Sequence, residues 1–499
     1  MPLLTKWADG PSLGEIPGLQ VLNEEELPMS VERTLITGGT VLTVDPEYGR
    51  LDKGDVLVEN GKIAAIAPRL DVVEAEVIDA TDMIVLPGFV DTHRHTWQAP
   101  VRNIGSDWTL GQYLAGIHFG FSKLFRPHDT YVGNLLGVAE ALDSGITTLL
   151  DWSHNLETPD HADSAVQALL DSGSRAVFAH GGGASMWHVP SAIPHDRDVF
   201  RLRDRYFSSD DQLVTMAFAA RGPQFTTPEI AIEDWQLARE LGVRITVHVG
   251  DGEWGKSRPV AWMREHGLLG PEVTYVHCNT IGDDELKMIA DTGGSASVSA
   301  DIETQMGHGW PATGRLLDVG IRPGLSIDVC TSNAGNMFNA MRSTLAVQRA
   351  LDNAAEERPG QQDRIRLTCR DVLEFATIEG ARANGLDRVT GSLTPGKDAD
   401  IVLLRADALT MTPLNNPAAA VVYNGHPGLV DSVMVRGRFV KRDGKLTELD
   451  VNRIRAMAIE TRDYLVEQAK TDPYIAECAL GGGWIPGSVQ PPRAAAIVD

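Results

Sequence analysis

An α/β fold, a (β/α)8 TIM barrel carrying a small β-sandwich domain made from both chain ends, is predicted by three features of this 499-residue sequence. Eight short apolar runs alternate with helical patterns through the middle of the chain. Strand-like segments with turn signals flank that middle on both sides. Chemistry-bearing residues fall at the ends of the first, fifth, sixth and eighth runs. A closed barrel brings those ends together, whereas the alternative, an open doubly wound sheet, would scatter them.

Residues 1–30 are punctuated by Gly and Pro and are expected to form an arm. Short strands follow at Arg33–Ile36, Thr40–Val44, Asp55–Glu59, Lys62–Ile66 and Glu76–Asp79, divided by turn signals at Gly38-Gly39, Pro46–Gly49 and Asn60-Gly61. The eight apolar runs span 83–90, 146–151, 175–179, 212–219, 243–249, 273–277, 295–299 and 322–328. Helical patterns between them include Tyr131–Leu142, Ala162–Leu170, Glu229–Leu241, Val260–His266 and Asp284–Ala290. After residue 390 strand patterns return at Ile401–Leu404, Ala419–Tyr423, Val430–Val435 and Arg438–Val440, with a hairpin signal at Arg442-Asp443-Gly444. A helix is predicted over Val451–Ala469, then a Gly/Pro-rich tail from Gly481 to Pro492. The expected division is an arm (1–30), a composite small β domain (31–85 with 391–447), a catalytic barrel (86–390), and a terminal helix and tail (448–499).

The formal charge of −24 argues against nucleic acid or an anionic membrane as partner. Four dispersed cysteines (Cys278, Cys330, Cys369, Cys478) with no C-x-x-C pair read as free thiols. With no signal-peptide pattern and no membrane-length apolar stretch, a cytoplasmic location is expected.

His93-Arg94-His95 closes the first apolar run. Side chains alternate along a strand, so two histidines at i and i+2 share a side and form half of a metal site. Asp91 lies on the same side. The fifth run ends in His248, the sixth in His277 and the eighth in Asp328. Imidazoles with a carboxylate suit one divalent metal per chain; Zn²⁺ is favoured and Fe²⁺ fits.

Three strings carry a resemblance: Leu86–His95, His266–Pro271 leading to His277-Cys278, and Gly391-Ser392-Leu393-Thr394-Pro395-Gly396-Lys397-Asp398-Ala399-Asp400. The chain, from about residue 33 to 445, resembles the amidohydrolase superfamily, in its mononuclear cytosine-deaminase-like and chlorohydrolase-like branch. That resemblance implies that His93, His95, His248 and Asp328 ligate the metal. It implies that His277 orients or polarises the water and that Asp328 is also the general base. No lysine ends the fourth run, so a carbamylated-lysine binuclear centre is not expected.

Two departures stand out. Deaminases of this branch carry Glu three residues after the fifth-strand His; here Asp251 stands there, with Glu253 two residues on. Asp251 reads either as a proton shuttle or as a loop cap. The stretch Ser299–His308 also lacks the branch's Pro-x-Ser-Asn string. Candidate substrate contacts are Trp97, Gln98, His154, His180 and His308, with Trp152 and Trp187 nearby; packing roles are the alternative for each. Arg102, Arg221 and Lys256 are the obvious cations near these loops. A flat, neutral, heteroaromatic substrate is expected. The reaction is read as hydrolysis of a C–N bond, by deamination or amide- or urea-type cleavage. Halide displacement, a metal-assisted lyase or decarboxylase, and an inactive scaffold remain as alternatives. The family likeness further implies a homo-oligomer, a dimer or tetramer.

Overall fold

The computed structural model describes residues 32–187, 189–356 and 365–471. The expected arm and Gly/Pro-rich tail lie outside the described residues.

Eight parallel strands form the barrel: Phe89–Arg94, Ile146–Ser153, Arg175–His180, Val214–Ala220, Arg244–Val249, Val273–His277, Ser295–Val298 and Gly324–Leu325, each paired with its neighbour in sequence. The eighth is regular over only two residues, and the ring is completed past its end. The Asp328 N–H donates to the His93 carbonyl (2.9 Å) and the His95 N–H to the Asp328 carbonyl (2.8 Å). Helices such as Pro127–Asp143, Pro159–Ser172 and Pro228–Leu241 start with proline, whose missing N–H costs nothing in a first turn. Their apolar stripes pack on outward strand residues including Leu149, Phe178, Phe218 and Tyr275.

The run 83–90, expected as one strand, is two. Met83–Pro87 belongs to the small sheet, and Phe89–Arg94 opens the barrel. Gly88 sits at the switch, where a Cβ would collide with the Thr147 side chain. The small sheet has nine hydrogen-bonded strands in one continuous array. Met83–Pro87 is its seam, parallel to Arg33–Leu42 and antiparallel to Ile401–Arg405 (Val85 opposite Leu403), so both chain ends build it. Gly38-Gly39 does not break the first strand. Gly38, at φ +81°, accommodates a register shift within Arg33–Leu42. Asn60-Gly61 and Asp443-Gly444 both take positive φ and make the expected two-residue hairpins.

One expected strand is a helix. Ala419–Tyr423 lies in Pro417–Asn424, where Asn416 accepts the Ala419 N–H (3.2 Å). An Asn cap, proline in the first turn and three alanines favour helix, and Val421 and Val422 are buried by one face of it.

Candidate metal centre and active cavity

Strand alternation sets the first two ligand candidates. Arg94 points out to the helix layer and meets Glu140 (2.7 Å), so His93 and His95 point in. The structure brings the predicted cluster together. His93 Nε2 lies 3.4 Å and His95 Nε2 3.5 Å from Asp328 Oδ1; His277 Nε2 lies 3.7 Å from Oδ2. The His248 ring centroid is 4.7 Å from that of His93 and 5.4 Å from that of His277. His277 (φ +73°), Cys278 (φ +58°) and Asp328 (φ +61°) all sit in the left-handed region. Each costs about 1 kcal/mol or more. Neighbouring strands hold them there: Cys278 N–H reaches the Val249 carbonyl (3.0 Å), and Asp328 is tied to His93 and His95 as above.

Both ring nitrogens of His93 are buried without a hydrogen-bond partner. His95 Nδ1 donates to the Trp152 carbonyl (3.1 Å), which leaves the Nε2 lone pair for the cluster. Ligand atoms of His93, His95 and His248 lie within 4.8 Å of one another, as do those of His93, His277 and Asp328. Desolvated imidazole lone pairs facing a carboxylate are costly without a cation, and this donor set fits a divalent one. Burial, then the charge of His93, holds His95 well below the usual histidine range. Burial alone would raise Asp328, but its contact with His93 and the nearby His277 and His95 hold it far below the carboxylate range. His277 is opposite. Burial works against its charge, yet Glu303, which accepts its Nδ1–H (3.1 Å), together with Asp328 and Asp251, pushes it up to about 9. Asp91 lies beneath the cluster, accepting the Ile327 N–H (3.1 Å), and burial raises it to about 7.

A cavity of about 550 Å³, counting its open mouth, stands over the cluster. Of the expected contacts, His154 and His308 line it, with Trp152, Trp187 and Asp251. Trp97, Gln98 and His180 do not. Trp97 is fully buried and donates its indole N–H to His154 Nδ1 (3.1 Å). Gln98 donates to the Tyr113 hydroxyl (2.7 Å), and His180 pairs with His195 (2.8 Å). These three stand behind the wall because the chain leaves the barrel in a tight 3-10 turn, Thr96–Val101, and because a histidine loop folds over the third strand. Asp251 accepts from Gln224 (2.8 Å), whose oxygen in turn accepts the Gly250 N–H. Glu253 is exposed and paired with Lys256.

Sequence reasoning missed Glu303, Gln224, Tyr113 and His118. Glu303 lies on the helix Ala300–Met306, which follows the seventh strand, and its carboxylate also accepts the Ser299 N–H (2.8 Å). Its full burial, which would have marked it, shows only in the structure. His118 sits in the aromatic stretch Ile117-His118-Phe119, and burial pulls it down to about 3.

The Amidohydrolase family model matches residues 84–440. The 5-methylthioadenosine/S-adenosylhomocysteine deaminase of Symbiobacterium thermophilum is 30% identical over 455 residues, covering 88% of this chain and 100% of the relative. The 5'-deoxyadenosine deaminase of Methanothermobacter thermautotrophicus is 29% identical, covering 86% and 98%. Among solved structures, an adenosine deaminase from Xanthomonas campestris with bound zinc aligns with a TM-score of 0.76 at 23% identity, covering 87% of this chain and 98% of that one. Atrazine chlorohydrolase from Arthrobacter aurescens, complexed with zinc, aligns with a TM-score of 0.75 at 23% identity, covering 86% and 100%. Among the described residues no helix is long and apolar enough to cross a membrane. With the histidine–aspartate cluster at the barrel mouth and a family match that runs from the sheet seam through the whole barrel, the chain belongs to the amidohydrolase family and is a metal-dependent hydrolase of carbon–nitrogen bonds.

Proposed function

We propose that this amidohydrolase removes an amino group from a heteroaromatic ring by hydrolysis, on substrates of the aminopurine nucleoside type that its relatives' names carry. One observation carries the reading. Among the described residues the cavity is lined by two carboxylates, Asp328 at the histidine cluster and Asp251 beside it, while Glu253 faces solvent. His93, His95, His248 and Asp328 would hold one divalent metal, zinc being favoured over iron for this nitrogen-rich donor set, and that ion would supply Lewis-acid activation of water near neutral pH. Asp328 takes the proton from the attacking water. His277, held through Nδ1 by Glu303, presents Nε2 to that water. Asp251, steadied by Gln224, relays the other water proton to the ring nitrogen, and Asp328 passes the proton it took to the leaving amine. Asp251 is one methylene shorter than the glutamate of related deaminases. That shortness favours, as a second reading, displacement of a leaving group that needs less protonation, such as an amide or a halide.

Mass spectrometry in ¹⁸O-labelled water separates them, using 5'-deoxyadenosine, an aryl amide and a chlorotriazine. Labelled oxygen in place of the amine, with loss of about a hundredfold or more in Asp251→Ala, is the expected result. Cleavage into two fragments with the label in one of them, or faster chloride release, with Asp251→Ala little affected, overturns deamination. We further propose a dimer or tetramer. Exposed Val451 and Ile459 on the helix Val451–Ala469 support it, and a monomeric mass in sedimentation would refute it. Free Cys278, Cys330 and Cys369 support a cytoplasmic location; Cys478 lies outside the described residues.

A further inference from the structure

Among the described residues the His154 side chain makes one hydrogen bond, accepting the indole N–H of Trp97 at Nδ1 (3.1 Å). An indole nitrogen can only donate, so Nδ1 must present a lone pair. The ring is therefore neutral with its proton on Nε2, because a second N–H at Nδ1 would meet the indole proton head-on. His154 lines the cavity, and its Nε2 has no partner among the described residues. The ring cannot swing away. His95 lies 4.3 Å from it between centroids, His118 stacks at 4.5 Å, and Trp152 meets it edge-on at 5.3 Å. The result is a donor held in place in an aromatic wall, beside the unpartnered indole N–H groups of Trp152 and Trp187.

Charge points the same way. Among the described residues no arginine or lysine lines the cavity. Three cations near these loops are engaged elsewhere, Arg102 with Glu140, Arg221 with the buried Asp234 (3.3 Å) and Lys256 with Glu253, while Lys123, whose charge reaches His118, is exposed to solvent. A carboxylate or phosphate on a substrate would find no arginine or lysine here, and the charge of His277 is already answered by Glu303 (3.1 Å) and Asp328 (3.7 Å).

We propose that His154, with its tautomer imposed by Trp97, is a specificity-determining contact that selects an uncharged, flat heteroaromatic substrate by donating Nε2–H to an in-plane acceptor atom of the ring. Trp97 is a positioning residue, separated from the substrate by the His154 ring. This deepens the reading above, since it takes that cavity as the substrate site, but it requires no particular leaving group.

The test is binding, not turnover. Calorimetry on the metal-loaded full chain compares purine, whose ring nitrogens accept, with indole, a bicycle of the same shape that has no acceptor nitrogen. Purine is expected to bind about tenfold or more tightly than indole. His154→Phe should erase that preference, and His154→Gln, which keeps an N–H donor, should restore part of it. Trp97→Phe should weaken the preference, and ¹⁵N-histidine spectra should show His154 passing from a single Nε2–H tautomer to a mixture. S-adenosylhomocysteine, with its charged tail, should bind more weakly than 5'-deoxyadenosine. Equal binding of purine and indole, a preference that survives His154→Phe, an unchanged tautomer in Trp97→Phe, or tighter S-adenosylhomocysteine overturns the proposal. Deamination can fail while the purine preference holds, and the preference can fail while deamination holds, so the two readings fall separately.

Discussion

The two ends of the barrel solve opposite problems. At the end where the small sheet docks, Arg175 opens the third strand and is buried, yet every charge near it is answered. It donates to Asp398 (2.7 Å) and Asp400 (2.8 Å). Lys62 takes the other Asp398 oxygen (2.7 Å), and the Arg436 N–H caps Asp400 (2.8 Å). At the catalytic end His93 and His308 leave both ring nitrogens unpartnered, and three non-glycine residues hold left-handed backbone. Saturated polar groups bind two parts of a chain together, whereas unsaturated ones wait for a ligand. Stability and reactivity are thus separated along the barrel axis, and substitutions at the two ends should separate them too.

Asp328→Asn gives the largest effect. It removes the proposed base while keeping a residue that tolerates positive φ. Turnover should fall by about a thousandfold or more. The folded carboxyl lies below its ordinary value, so its charge also contributes to the stability of the metal-free protein, and the denaturation midpoint should fall, though by less than in Asp400→Ala. Retained activity, or a fall in stability as large as that of Asp400→Ala, would erase the contrast between the ends. Asp400→Ala is the mirror experiment. It strips Arg175 of one partner in a buried pair and should cost about 3–5 kcal/mol in urea unfolding, with kcat/KM per folded molecule preserved. Loss of kcat/KM in the surviving fold would mean that the junction reaches the site.

The same division explains what could be read in advance. The ligand candidates were legible because a strand end fixes both place and direction: His93, His95, His248, His277 and Asp328 each close or follow a barrel strand. The barrel was legible from its alternation for the same reason. Residues acting one step behind the wall were not. Trp97 and Gln98 follow the ligands in sequence but turn away in a 3-10 helix, so adjacency misled where tertiary packing decided. Glu303 reaches His277 only because its stretch coils into a helix. Ala419–Tyr423 failed differently. Its two valines suggested a strand, but the Asn-Pro start and alanine run set a helix, and burial of Val421 and Val422 suits either form.

The smallest effect probes pH. Burial tends to raise Asp398, but hydrogen bonds from Lys62 and Arg175 and their charges hold it below its ordinary value. A carboxyl lowered on folding contributes stability that is complete above its unfolded value, and that contribution is lost as pH falls through the folded one. The window therefore lies below about pH 4. Asp398→Asn keeps one oxygen acceptor and gives up the charge, so at neutral pH it should cost about 1.5–3 kcal/mol, the worth of hydrogen bonds to a charged group. Other carboxyls titrate alike in both proteins and cancel in the difference. The gap between wild type and Asp398→Asn in urea unfolding should stay level from pH 8 to pH 5 and close towards pH 3. A gap independent of pH would show that asparagine loses packing rather than charge. A gap that widens in acid would reverse the assigned shift and leave the junction no more ionic than the rim.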